Sequence, residues 1–357
     1  MEKYTLSLCL HLKKKGIQSD VLTLNKCSKS NTILAEKSNY KGIKIMRIPF
    51  LDLGIYKISP QVINYVKNYD LIHVQGTNFF SDFLASTKPL HKKKIVISTH
   101  GGIFHTKSNS KIKKFYFSTI CKRTLKKADL VIAVSRNDFN LFKRITENIA
   151  LIEEGAEVKE FSLSKSKKEK NSFAFVGRIS KNKRVDNLIK TLALVAEKHP
   201  SLKIYIIGPD WEGLQDWLIQ LAKEKRMEKN IFFRGKMKEK ELKKFLAKTE
   251  FFASASEYEG FGISAIEAMA SGAIPLLNDI DSFNNFVKDG ENGFIIEFSK
   301  PEKAAEKIIK IMQMSNKKNG KIARSAKESV KKYDWGNTVQ KTINAYNKIL
   351  GIKNGFK

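Results

Sequence analysis

The chain has 357 residues, 66 of them Lys or Arg and 36 Asp or Glu, for a formal net charge of +30. Hydrophobic residues make up 42%, with only 7 Pro and 20 Gly, which excludes a disordered or low-complexity protein. At about 150 residues per domain the length predicts two cores, and no window reaches the roughly 18 apolar residues of a membrane span.

The charge is mostly lysine: nine of the basic residues are Arg and 57 are Lys. Arg is the side chain suited to bidentate recognition of bases and phosphates. A lysine excess describes a solvated surface, so no nucleic-acid partner is expected. Cys9, Cys27 and Cys121 lie too far apart in sequence for a disulfide framework or a metal-ligand spacing, which fits a reducing cytoplasm.

In chain order, the first half predicts a helix over 5–15, strands over 21–24 and 43–48, a helix over 60–68 and a strand over 71–74. A helix over 78–86, a strand over 95–99, a helix over 111–127 and strands over 130–134 and 150–153 follow. The polar, lysine-rich stretch 162–171 (SLSKSKKEKN) has no periodicity and reads as the domain linker. Beyond it strands are predicted over 173–176, 203–207, 231–233, 251–253, 274–276 and 293–296. Helices over 185–198, 213–225, 239–247, 264–271 and 283–288 alternate with them, and the pattern is purely helical after Pro301. Such alternation predicts α/β architecture, with two doubly wound parallel sheets in tandem and a cleft between them. The domains are expected at 1–165 and 166–334. The chain opens on a helix with no strand before it, whereas a doubly wound sheet places its first strand centrally. Residues ahead of Met1, supplying a strand and a glycine turn, are therefore expected.

Two stretches carry chemistry. In EYEGFGISAIEAMASGAIP (257–275), Glu259 stands in a glycine-containing loop and Glu267 on the helix that follows. Between them the amides of Phe261, Gly262 and Ile263 fall at a helix N-terminus, where unpaired donors and the macrodipole favour an anion or sugar hydroxyls. A lone pair of acids at this spacing would more often be a capped core helix with surface carboxylates. The Gly-Phe-Gly turn and the small-residue run argue for a binding role. In VGRISKNK (176–183), Gly177 ends a strand while Arg178 and Lys183 flank the turn that follows. Arg as a fork and Lys as a point charge suit a diphosphate, though alone this is equally a basic turn in a lysine-rich chain.

These residues resemble the family-4 retaining glycosyltransferases of GT-B fold. The similarity rests on FVGRISKNK (175–183), IIGPD (206–210), FFRGKM (232–237), EGFGISAIEAMASGAIPLLND (259–279) and DGENGF (289–294). YDLIHVQG (69–76), STHGG (98–102), ADLVIAVS (128–135) and IEEGAEVKEF (152–161) extend it more loosely through the first half. The resemblance implies that Arg178 and Lys183 hold the donor diphosphate and meet charge on the departing nucleotide. It gives Glu267 the ribose hydroxyls, and it gives Glu259, with the amides of Phe261, Gly262 and Ile263, the donor sugar. His100 would face the reacting sugar. It further implies a helix over 335–357 returning to the first domain, no cofactor and no covalent nucleophile. The acceptor would be a glycan or a lipid-linked acceptor in the synthesis of cell-surface polysaccharide or glycolipid. Two departures bear on activity: Arg184 stands where the family usually has Gly, and Glu153-Glu154-Gly155 replaces a common Pro-Asn-Gly. A catalytically weak member that binds nucleotide sugars, or serves as a scaffold, is the alternative.

Asp279-Ile280-Asp281 fits the spelling of metal-dependent transferases but follows a strand, where a cap is expected. His73, His91, His105 and His199 form no ligand-spaced cluster, and no metal is expected. The segment 111–127 places Ile112, Phe115, Tyr116 and Ile120 near one face among cations. Such a stripe usually packs on a sheet. The alternative is contact with an anionic membrane, making the protein cytoplasmic and peripheral at the inner face.

Overall fold

The computed structural model describes residues 2–26, 32–54, 56–100, 115–164 and 166–352. Two compact units emerge: Met1–Gly155 with Trp335–Lys357, and Ala156–Asp334.

In the first unit, β1 (Val21–Leu24) pairs in parallel with β3 (Ile43–Ile48), which pairs antiparallel with β2 (Lys37–Tyr40). β4 (Leu51–Leu53) and β5 (Tyr56–Ile58) form a hairpin. β6 (Leu71–Gln75), β7 (Lys94–Ser98), β8 (Leu130–Ala133) and β9 (Ile149–Leu151) make a parallel sheet in that order. Among the described residues β1 and β6 each pair on one side only. β2 and β4 escape the sequence reading because every one of their residues is exposed. Without a buried face they carry no apolar alternation.

The sheet β6–β9 is covered on both faces, and its strands divide by parity. Ile95 and Ile97 join Val74, Val131, Leu125 and Phe142 on one side. Val96 and Ile132 join Tyr4, Leu8 and Leu12 of the helix Glu2–Lys14 on the other. Trp335, Val339, Ile343 and Tyr346 of the helix Trp335–Leu350 complete that second cluster. Gly155 is required there, since a Cβ on it would lie 2.5 Å from the Trp335 ring.

The segment expected as one helix over 111–127 differs where it is described. A π-helical turn, Phe117–Cys121, precedes the helix Lys122–Lys127. The extra residue in a π turn rotates the following face, so the expected stripe divides. Phe115 and Ile120 are exposed, while the Tyr116 hydroxyl turns inward and donates to Asp82 at 2.7 Å. Ile112 lies outside the described residues.

The second unit is one parallel sheet of β10 (Glu169–Val176), β11 (Lys203–Ile207), β12 (Ile231–Gly235), β13 (Thr249–Ser254), β14 (Ile274–Asn278) and β15 (Phe294–Ile296). Its spatial order is β12-β11-β10-β13-β14-β15. Helices on both faces explain the continuous apolar runs of these strands: Phe173 and Phe175 enter one core, Ala174 the other. The polar stretch 162–171 is not a linker. Its start ends the helix Val158–Leu163 and its end opens β10. Lys168 there is half-buried, donating to the carbonyls of Thr249 and Ser271 at 2.8 and 3.1 Å, and desolvation pulls its pKa down to about 8. Glu169 binds Lys203 at 2.7 Å across the strand pair. Polar composition there pins a strand and only imitates a flexible joint. The expected helix 283–288 is instead the turn Asp281–Asn284, with Phe283, Phe286 and Val287 buried.

Candidate functional site

In an open α/β sheet ligands collect outside the carboxyl ends of the strands, where the order reverses. In the second unit that point lies between β10 and β13, whose exits carry the two stretches singled out above.

β10 leaves the sheet through Gly177, whose N–H donates to Ile207 O at 2.9 Å. β11 leaves through Gly208, φ +144°, where a Cβ would sit 1.8 Å from Gly177 O. The two exits pass in backbone contact, which only glycine at 208 permits. Two ladder-like bonds, Ile179 N to Pro209 O at 2.9 Å and Trp211 N to Ile179 O at 3.0 Å, continue the pairing beyond the sheet. Arg178 is exposed, and its guanidinium lies 4.7 Å from the centre of the Trp211 ring.

The turn after Gly177 is sewn to the loop after β13. Glu257 N donates to Asn182 O at 2.9 Å, and Asn182 Nδ2 donates to Tyr258 O at 3.2 Å. Arg184 adopts φ +47° and spans Glu257, Asp186 and Asn187. Where glycine would reach this left-handed conformation without cost, Arg184 offsets the strain with three partners. At the centre Lys183 Nζ and Glu259 Oε1 are 2.6 Å apart, each side chain only 14% exposed. Ser256 Oγ donates to the same carboxylate oxygen at 2.9 Å.

Gly262, φ +96°, caps the helix Ile263–Ala270. A Cβ there would meet Phe283 at 3.0 Å. Phe261 points into the core beside Tyr333, with ring centroids 5.2 Å apart. Its side chain anchors the turn, leaving the backbone of 261–263 at the helix N-terminus, where first-turn amides lack intrahelical acceptors. Glu267 is buried in the second turn of this helix.

His100 belongs to the first unit. It follows β7 with φ +45°, a left-handed conformation that a histidine adopts only when held there. Its Nε2 lies 2.7 Å from Gln75 Oε1 and its Nδ1 3.2 Å from Glu154 Oε1. The Tyr4 ring packs edge-on at 4.6 Å. Next to it His73 is half-buried, with Nδ1 2.5 Å from the Tyr346 hydroxyl and Nε2 2.7 Å from Ser98 Oγ. Burial, with a smaller contribution from His100, pulls the His73 pKa from 6.5 down to about 3. The folded protein therefore keeps His73 neutral while the unfolded chain binds a proton below 6.5. The stability His73 contributes is complete above pH 6.5 and declines as the pH falls toward 3. Urea unfolding followed on first-unit amides is expected to lose stability between pH 6.5 and 4 in the wild type. His73→Gln is expected to lessen that slope, and an unchanged slope refutes the assignment.

The structure thus brings Gly177, Arg178, Lys183, Glu259, Phe261, Gly262, Ile263 and Glu267 to neighbouring strand ends of one unit, with His100 at a strand end of the other. Among the described residues the two cations do not share a partner: Lys183 faces Glu259, Arg178 faces Trp211. Sequence reasoning missed Trp211, Asn182 and Gln75, because their partners are brought close only by sheet pairing, and Ser256, because its contact with Glu259 is made by the fold of a loop. It noticed Glu154 and Arg184 only as departures from a pattern. Asp279 accepts from Asn284 at 2.8 Å, and no three His, Cys, Asp or Glu gather into a metal-binding group among the described residues. His105 and Cys27 lie outside them.

Two Rossmann-like units with these strand exits define a GT-B glycosyltransferase. Residues 158–329 match the model described as "Glycosyl transferases group 1", and residues 1–160 match "Glycosyltransferase Family 4". The GDP-mannose:cellobiosyl-diphosphopolyprenol alpha-mannosyltransferase of Xanthomonas oryzae is 31% identical over 324 residues, 89% of this chain and 84% of that one. The protein of the same name from Komagataeibacter xylinus is 28% identical, covering 94% and 86%. The chain belongs to the group 1, family-4 glycosyltransferases. Among solved structures, Anabaena HepE in complex with UDP superposes with a TM-score of 0.76 at 19% identity, covering 96% of both chains. A glycosyltransferase from Rickettsia africae gives 0.75 at 19% identity, covering 99% and 95%.

Proposed function

We propose that the protein moves a hexose from a UDP- or GDP-linked donor to a hydroxyl of a lipid-linked glycan in cell-surface polysaccharide synthesis, with retention of configuration and no metal. The observation carrying this is the Lys183–Glu259 pair, 2.6 Å apart beside the glycine cap of the helix Ile263–Ala270. It sets a cation for phosphate next to a carboxylate for sugar hydroxyls. The relatives named for GDP-mannose and a diphosphopolyprenol acceptor support the substrate classes.

In this reading Arg178 and Lys183 donate to the diphosphate, and Glu267 accepts from the ribose. Glu259 and the backbone of 261–263 hold the sugar, and His100 faces it. The bond between the anomeric carbon and the phosphate oxygen breaks, and its electron pair stays with the nucleotide, whose charge the two cations meet. The acceptor oxygen bonds to that carbon on the same face and passes its proton to the departing phosphate. The charge is met by side chains, so chelation should leave the rate unchanged.

The test incubates the chain with GDP-mannose and UDP-hexoses, using a polyprenyl-diphosphate oligosaccharide as acceptor, with and without EDTA. An α-linked product formed equally in both is expected, and strict metal dependence or inversion overturns those parts of the proposal. Nucleotide binding without transfer would make the chain a nucleotide-sugar-binding subunit. No described helix is long and apolar enough to cross a membrane. Peripheral contact at the inner face of a membrane belongs to the same proposal, supported by exposed Phe115 and Ile120 beside exposed Lys122, Arg123, Lys126 and Lys127. Sedimentation with anionic but not neutral vesicles is its expected result.

A further inference from the structure

Among the described residues Arg178 makes no ion pair or hydrogen bond; what holds it is the face of Trp211, 4.7 Å from the guanidinium carbon. Lys183, by contrast, is already occupied by Glu259. We infer that Trp211 is a positioning residue that keeps Arg178 aimed and unspent for the donor diphosphate. The inference rests on the donor-binding role proposed above for Arg178.

The physical case starts from how each partner uses a guanidinium. A carboxylate takes the edge, where the N–H donors lie, so an incoming diphosphate must displace it. An indole takes the face and leaves the donors free in the guanidinium plane. Trp211 is itself fixed. Its backbone N–H donates to Ile179 O at 3.0 Å, one residue beyond Arg178, and Ile179 N donates back to Pro209 O at 2.9 Å. Asp210 accepts from the amides of Leu214 and Gln215, both at 3.0 Å, and Glu212 accepts from Lys181 N at 2.9 Å. The loop 208–215 and the turn 177–181 are therefore one braced piece, with the indole on one side and the guanidinium on the other. Trp211 remains 45% exposed although it is a large aromatic side chain. A surface indole lying under a cation at a strand exit is better explained by what it holds than by the area it buries.

The experiment measures dissociation constants for UDP and GDP by titration calorimetry on the full chain. Four variants are compared: Trp211→Leu, Trp211→Tyr, Arg178→Ala and the double variant Arg178→Ala/Trp211→Leu. Trp211→Leu is expected to weaken binding about three- to fivefold, the range of an exposed cation–π contact. Trp211→Tyr is expected to restore most of the loss, because another aromatic face replaces the first. Arg178→Ala is expected to weaken binding at least tenfold, and adding Trp211→Leu to it should cost nothing more. A merely structural role for Trp211 would make the two losses add, and additivity overturns the inference. Normal binding by Trp211→Leu beside a weakened Arg178→Ala overturns it while leaving the donor reading intact. Normal binding by Arg178→Ala overturns both.

Discussion

Lys183→Ala is expected to lower kcat/KM by about 10²–10³-fold, the effect of removing one preorganised donor from developing transition-state charge. The wild-type amine sits 2.6 Å from Glu259 with both side chains largely out of water. Its loss leaves a largely buried carboxylate whose side-chain partner among the described residues is Ser256 Oγ. The variant should therefore lose stability as well as activity, and the two losses can be separated. In Lys183→Ala/Glu259→Ala the orphaned charge is gone, so the melting midpoint should recover toward the wild-type value while activity stays low. Recovery of activity along with stability would show that Lys183 only shapes the loop. Lys183→Arg should rescue poorly, because a planar fork does not fit a pocket built for a compact ammonium.

Gly208→Ala is the second large effect, and it is a backbone effect. A methyl group there would lie 1.8 Å from Gly177 O and 2.7 Å from Gly177 C, at φ +144°. Neither exit can yield easily, because Gly177 N is bonded to Ile207 O at 2.9 Å and Gly208 N to Gly235 O at 2.8 Å. A loss of about 3 kcal/mol or more is expected, beyond the usual 0.5–3 kcal/mol of single substitutions by virtue of backbone strain. Hydrogen exchange should accelerate first at β10 and β11, and UDP binding should fall with it. A variant as stable as the wild type would mean that the strand exits are not in contact in solution.

Legibility in the sequence followed the physics of each element. The strands β10–β15 are apolar runs because both faces of their sheet are buried, and a run bounded by Gly or a charge is easy to see. β2 and β4 have no buried face and so left no trace. The site was legible where it is local: Gly262, Phe261 and Glu267 sit within one turn-and-helix unit, and Gly177 with Arg178 within one strand exit. What stayed hidden depends on strands meeting or on how a loop folds. Trp211 reaches Arg178 because β11 pairs with β10, Ser256 reaches Glu259 through a loop fold, and Gln75 reaches His100 because β6 pairs with β7. Polar residues misled where they were structural, as Lys168 and Glu169 did in the stretch that reads as a linker.

The first unit is built from two separated pieces of chain, and this sets the order in which the protein can mature. Tyr4, Leu8, Leu12, Val96 and Ile132 share their cluster with Trp335, Val339, Ile343 and Tyr346. On the ribosome those last four emerge only after all of Ala156–Asp334 has been made. Until then that side of the first sheet is covered only in part, by the helix Glu2–Lys14, whereas the second unit is contiguous and can close as soon as it is synthesised. Amino-terminal domains usually fold first during synthesis; here the amino-terminal unit can complete its second core only after the other unit has been made.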